Sequence, residues 1–149
     1  MRKAEGFTLI ELMIVLVIVA ALLLVALPAY QDSVIKSNRA AGKGILLDIA
    51  ARQEQYFINN KIYSDELAKL GYDVDGADAF YVNNQVEKSN AAVGDSVYKI
   101  QVVLLSTLTY SITATPLTRQ LKDVRCKAFT ITSEGARSSS GTASSSECW

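Results

Sequence analysis

Three groups of side chains in this 149-residue sequence have the types and spacing to do chemistry. The first is a carboxylate in apolar surroundings. Glu11 precedes sixteen uncharged apolar residues, Leu12 to Leu27, which end at Pro28. A carboxylate deep in lipid costs ~2.5–3.5 kcal/mol on insertion scales, so it needs a partner and a purpose. The second group is Cys126 and Cys148, the only two cysteines. An even pair in a chain with an export-type N-terminus reads as one disulfide, made in an oxidising compartment. Closing a loop of about 21 residues is worth ~3 kcal/mol in the chain-entropy picture. The third group is Arg119, Lys122, Arg125 and Lys127, opposed within that stretch only by Asp123. Such a cluster fits contact with DNA phosphates. A cluster of this size is more often an ordinary solvated face or a contact between subunits.

The rest of the composition excludes more than it offers. There is no His, so metal sites and His-based catalysis lose their usual side chain. No nucleophile elbow or glycine-rich phosphate loop is present, and no spacing makes carboxylates converge. The run Asp73-Val74-Asp75-Gly76-Ala77-Asp78 has acidic residues around a glycine, but lacks the full spacing and final Glu of a calcium loop. It reads as an Asp-Gly turn. Formal net charge is zero, which gives no overall bias towards nucleic acid or acidic substrates. No enzyme activity, cofactor or metal is expected.

The elements that must position these groups follow from periodicity. Phe7 to Tyr30 is 24 residues, ~36 Å as a helix and long enough to cross a bilayer. Arg2 and Lys3 precede it, which keeps the N-terminus cytoplasmic and puts the rest outside. A secretory signal cut after Ala29 is the competing reading, but Leu27-Pro28-Ala29 is a poor small-x-small site. Pro28 removes one intrahelical N–H, so a kink or loosening is expected there. Beyond it, Ile35, Ala41, Ile45, Ile49 and Tyr56 recur at helical spacing, with charged residues on the other faces. One helix from about residue 7 to 59 is expected, apolar all round and then on one side. Gly42 and Gly44 cost it ~1 kcal/mol each, and either permit close packing or make a soft segment. Ser64 is expected to cap a short helix that ends near Gly71. Strands are expected at 97–104, 109–115 and 128–132, with a weaker one at 80–82. The fold class is therefore α+β, with the long N-terminal helix packed on a small antiparallel sheet of three or four strands. The Ser-rich tail alone would be a flexible linker, and Cys148 ties it back.

The run Gly6-Phe7-Thr8-Leu9-Ile10-Glu11-Leu12, the apolar segment and Pro28 together resemble the N-terminus of type IV prepilins. The disulfide loop and terminal Cys148-Trp149 are similar to the C-terminal loop of the same family, most of all its E-type minor pilins. The resemblance implies a leader at 1–6 and a membrane or filament-core helix at 7–30. It also implies an amphipathic half-helix at 31–59 and a disulfide-closed head at 60–149. It implies that a prepilin peptidase cuts after Gly6 and N-methylates Phe7. The partners implied are other pilin subunits, the assembly machinery of the inner membrane and the membrane itself, with nucleic acid as a further candidate. The place implied is the inner membrane before assembly and an extracellular pilus after it. Cleavage gives Phe7 a positive amine one turn from Glu11. The carboxylate would then serve assembly, by neutralising that amine or a neighbour's. Pilus assembly and hence twitching motility, adhesion or DNA uptake are the implied functions. A major pilin, a type II secretion pseudopilin and a membrane-anchored binding module are the alternatives. The disulfide loop argues against the pseudopilin.

Overall fold

The computed structural model describes residues 7–74 and 78–149. The expected cleavage residue Gly6 and the centre of the Asp-Gly turn lie outside the described residues. Helix α1 runs Leu9–Asn60 and continues through Pro28. Its end is closed by amides. The Asn59 and Asn60 side chains donate to the Gln55 and Tyr56 carbonyls, at 3.3 and 2.9 Å. Lys61 takes the left-handed position at φ 61°, and its N–H donates to the Phe57 carbonyl. These bonds satisfy carbonyls that a helix end leaves open.

From residue 35 onward α1 buries a single stripe: Asn38, Gly42, Ile45, Leu46, Ile49 and Gln53. Ala41, expected in the stripe, is only partly buried, because its neighbour Gly42 takes the inward position. The reason is steric. A Cβ on Gly42 would meet the Tyr98 ring at 3.1 Å, so the bare backbone lets that ring lie on the helix. Gly44 meets nothing within 4 Å. The close-packing reading of the glycines thus holds at Gly42.

Among the described residues the head carries six antiparallel strands in the order β2-β1-β3-β4-β5-β6. They are β1 Ala79–Asn83, β2 Lys88–Ser89, β3 Ser96–Ser106, β4 Thr109–Pro116, β5 Phe129–Thr132 and β6 Arg137–Ser139. The four expected strands form its centre. The β3–β4 register pairs Ile100 with Ala114 and Val102 with Ile112. This places Tyr110, Ile112 and Ala114 on one buried face, with Phe80, Tyr98 and Phe129 beside them against Ile45, Leu46 and Ile49. Each of the larger aliphatic and Phe side chains among them contributes roughly 1.5–3 kcal/mol by leaving water. The two short edge strands, β2 and β6, were not expected. They are too polar and too short to show a period of two.

A 310 turn at Leu67–Leu70 replaces the expected short helix, and Gly71 ends it at φ 80°. Ser64 does not cap it; its Oγ accepts the Glu66 N–H at 3.1 Å in a local turn. The Ser64 backbone is instead clamped by the buried Gln53 amide, which donates to its carbonyl at 2.5 Å and accepts its N–H at 3.1 Å.

The Cys126–Cys148 disulfide is formed. The tail behind it is structured as β6 and the short helix α2, Ser145–Cys148. Trp149 packs edge-on to Phe129 at 6.0 Å between ring centres, and its indole N–H donates to the Ser138 carbonyl at 2.8 Å.

Candidate functional site

Two sites emerge, one in each of the two units into which the chain divides. In the first unit, the apolar side chains from residue 7 to residue 30 are exposed all round. Leu9 to Asn60 includes one stretch long and apolar enough to cross a membrane. At its start, Thr8 and Glu11 form a reciprocal cap. The Glu11 carboxylate accepts the Thr8 N–H and hydroxyl, both at 2.8 Å, and the Glu11 N–H donates to the Thr8 Oγ1 at 3.3 Å. This is a capping box, and it satisfies donors at the end where the helix dipole favours an anion. The sequence reading missed Thr8, although Thr-x-x-Glu ahead of an apolar run carries the signal. Glu11 thus has a role in its own helix as well as any role towards an amine. Phe7, just ahead of the cap, is 91% exposed.

The second site is the loop between β4 and β5. It begins with a 310 turn at Thr118–Lys122 and runs to Lys127, at φ 51°. Its inner side is polar and fastened to α1. The Asn38 amide donates to Gln120 Oε1 at 3.0 Å, and the Gln120 amide donates to the Ile35 carbonyl at 3.3 Å. Asp123 points inward, its side chain wholly buried. Both Asp123 oxygens accept from the Arg39 guanidinium, Nε to Oδ2 and Nη2 to Oδ1, each at 2.5 Å. Asp123 Oδ1 also accepts the Cys126 N–H at 3.1 Å, which couples the pair to the disulfide. Burial, and the Asp123 charge nearby, push the Tyr98 phenol well above its ordinary value.

The sequence alone set Asp123 against the basic cluster. The structure spends its charge on Arg39 instead, so the outer side of the loop is left basic. Arg119, Lys122, Arg125 and Lys127 are all exposed there. Arg125 meets Glu147 of α2 at 3.1 Å between two exposed side chains, a pair of little energetic consequence. Leu121 and Val124 are exposed among these cations, at 62% and 57%. The sequence reading missed the buried polar set of Asn38, Gln53, Gln120 and Asp123. Polar residues at helical spacing look like solvent-facing positions, and nothing local shows that Asn38 and Arg39 meet partners more than eighty residues away, or that Gln53 turns in to clamp the Ser64 backbone. Among the described residues no three His, Cys, Asp or Glu side chains gather as a metal site requires.

A charge-capped apolar N-terminal helix, continued into a disulfide-closed α+β head, defines the class of type IV pilins. Residues 1–27 match the prokaryotic N-terminal methylation motif. Residues 28–130 match the family described as "Type IV minor pilin ComP, DNA uptake sequence receptor", and the chain belongs to that family. It is 40% identical over 70 residues to the "Type IV wide pilus major component PilA4" of Thermus thermophilus, which covers 47% of this chain and 53% of that one. It is 60% identical over 71 residues to "Fimbrial protein Q" of Moraxella bovis, covering 48% of this chain and 42% of that one. It is 41% identical over 69 residues to the "Type IV major pilin protein PilE" of Neisseria gonorrhoeae, covering 45% and 40% respectively. The chain thus spans 53% or less of the length of these curated relatives. The methylation motif and the apolar helix make it a membrane-anchored pilin of the kind assembled into an extracellular pilus.

Proposed function

We propose that the chain is a minor pilin whose head presents the β4–β5 loop to DNA during uptake. One observation carries the reading: Asp123 is turned inward onto Arg39, so Arg119, Lys122, Arg125 and Lys127 face outward with no carboxylate of their own loop among them. The family description, which names a DNA uptake sequence receptor, supports it. The mechanism is electrostatic. Each cation set on a phosphate releases condensed counterions, so retention weakens as salt rises, with a slope of roughly 0.9 per contact on double-stranded DNA. Replacing all four residues by Ala should flatten that slope by about 3 to 4. An unchanged slope would end the DNA reading and leave the filament role standing.

In the same account a prepilin peptidase cuts after Gly6 and methylates Phe7, and the assembly machinery draws the subunit from the membrane. Glu11 then pairs with a Phe7 amine, its own or a neighbour's. The capping box makes Glu11→Ala ambiguous, because that change removes a cap as well as a charge. Glu11→Gln separates the two, since Gln also serves at the third position of a capping box. Charge pairing predicts that both variants are cleaved and that both assemble poorly. Capping alone predicts that Glu11→Gln assembles as well as the parent.

The three named relatives give a second reading its footing, since two of them are described as major pilins. The share of this subunit in sheared pili discriminates: a minor pilin is a small fraction and a major pilin is the bulk.

A further inference from the structure

Contact with DNA phosphates, which carries the reading above, gives the apolar Leu121 and Val124 no role. Each is more than half exposed on a short loop, and each is flanked by cations: Arg119 and Lys122 around Leu121, Lys122 and Arg125 around Val124. Alternation of apolar and basic groups on one exposed surface is the composition of an element that lies in a membrane interface. The apolar groups enter the acyl boundary and the cations meet headgroup phosphates.

The tether points to the same occupant. The loop is fastened to α1 through the Ile35 carbonyl, the Asn38 amide and the Arg39 guanidinium. Ile35 follows Tyr30, the last residue of the apolar segment, by five residues. Five residues reach at most ~18 Å in any conformation. While the subunit is anchored, the loop therefore cannot move far from the bilayer that holds it. The loop is also rigidly presented. The buried Arg39–Asp123 pair and the Cys126–Cys148 disulfide hold its inner side, and its outward side chains are left for a partner.

We infer that, before assembly, the β4–β5 loop docks on the outer leaflet of the membrane holding the anchor, with Leu121 and Val124 inserted and Arg119, Lys122, Arg125 and Lys127 on anionic headgroups. The lipid contact fixes the head against the bilayer, and extraction into the filament breaks it. The same cations then become available to another polyanion, so the inference stands whether or not that polyanion is DNA. Arg125 contributes by exchanging Glu147 for a headgroup, an exchange between exposed partners of similar strength.

The test uses the full chain in nanodiscs of phosphatidylcholine alone or mixed with phosphatidylglycerol, read by hydrogen–deuterium exchange over residues 117–127. A cation near an anionic surface strengthens binding roughly fivefold, so exchange in the loop should slow at least about fivefold in the anionic discs. Leu121→Asp with Val124→Asp should abolish that protection, and so should replacing the four cations by Ala. Leu105→Asp with Leu108→Asp, exposed apolar residues at the β3–β4 turn, should leave it intact. Unchanged exchange in β1 and β5, which hold none of the substituted residues, shows that each variant remains folded. Equal exchange in both disc types overturns the inference, as does protection that survives the Leu121/Val124 change. Protection by added duplex DNA but not by anionic lipid assigns the surface to nucleic acid and overturns it too.

Discussion

Asp123→Ala should be among the most costly single changes in the head that touch no apolar core residue. The carboxylate is fully buried and accepts two bonds from Arg39, one from the Cys126 N–H and a longer one from the Gln120 amide at 3.4 Å. Removing one partner of a buried pair costs about 3–5 kcal/mol, because the other loses the counter-charge that offset its desolvation. The Arg39 side chain is 17% exposed, so water reaches it and the lower end applies. The orphaned Cys126 N–H adds a cost of its own, and the two do not sum. An effect of about 3 kcal/mol is expected. That is a large share of the ~5–15 kcal/mol that holds a typical domain together. Urea unfolding of the full chain in detergent, followed by near-UV circular dichroism, reads it as a shift in midpoint at constant slope. Asp123→Asn keeps an acceptor for Cys126 and loses the charge, so it should fall between the two. Replacing the pair together, Arg39→Met with Asp123→Leu, should recover most of the loss. A cost below about 1 kcal/mol for Asp123→Ala, as an exposed ion pair would give, refutes the claim that this pair fastens the loop.

Other outcomes follow from the packing of the head. Gly42→Val should destabilise by about 2 kcal/mol by forcing the Tyr98 ring off the helix. Gly44→Ala should stabilise by about 1 kcal/mol, since its Cβ meets nothing; thermal melts of the two variants should move in opposite directions. Cys126→Ser with Cys148→Ser should cost about 3 kcal/mol, seen as a lower urea midpoint than the oxidised parent and the same midpoint as the reduced parent. Burial first, and then the nearby charges of Asp48, Asp123 and Glu54, hold the phenols of Tyr72, Tyr98 and Tyr110 above the ordinary value of 10. The folded head keeps these protons where the unfolded chain releases them. Stability should thus be intact below pH 10 and fall above it, by up to ~1.4 kcal/mol per pH unit for each tyrosine. Urea midpoints measured on either side of that value test it, and a flat profile contradicts it.

What the sequence showed was what local pattern can carry. The period of α1 changes at a definite place, and the alternation of Tyr110, Ile112 and Ala114 marks the buried face of β4. The Cys pair had one possible pairing. What stayed hidden depended on distant partners. Asp123 could be seen only as a charge among cations, because its partner Arg39 lies on another element. Asn38 and Gln53 looked like exposed helix positions until Gln120 and the Ser64 backbone came to meet them. The edge strand β6 has no apolar period and forms because β5 and the disulfide hold it in place. Glu11 is the instructive case, since its spacing to Thr8 was readable and its oddity in an apolar run drew attention elsewhere.

The account rests on the N-terminal segment being kept and used, with Phe7 as its first residue. Mass spectrometry of the subunit recovered from sheared pili tests this most directly. The account predicts a chain that begins at an N-methylated Phe7 and carries the Cys126–Cys148 disulfide. A chain that begins at Tyr30, or one that retains Met1 to Gly6, would contradict it.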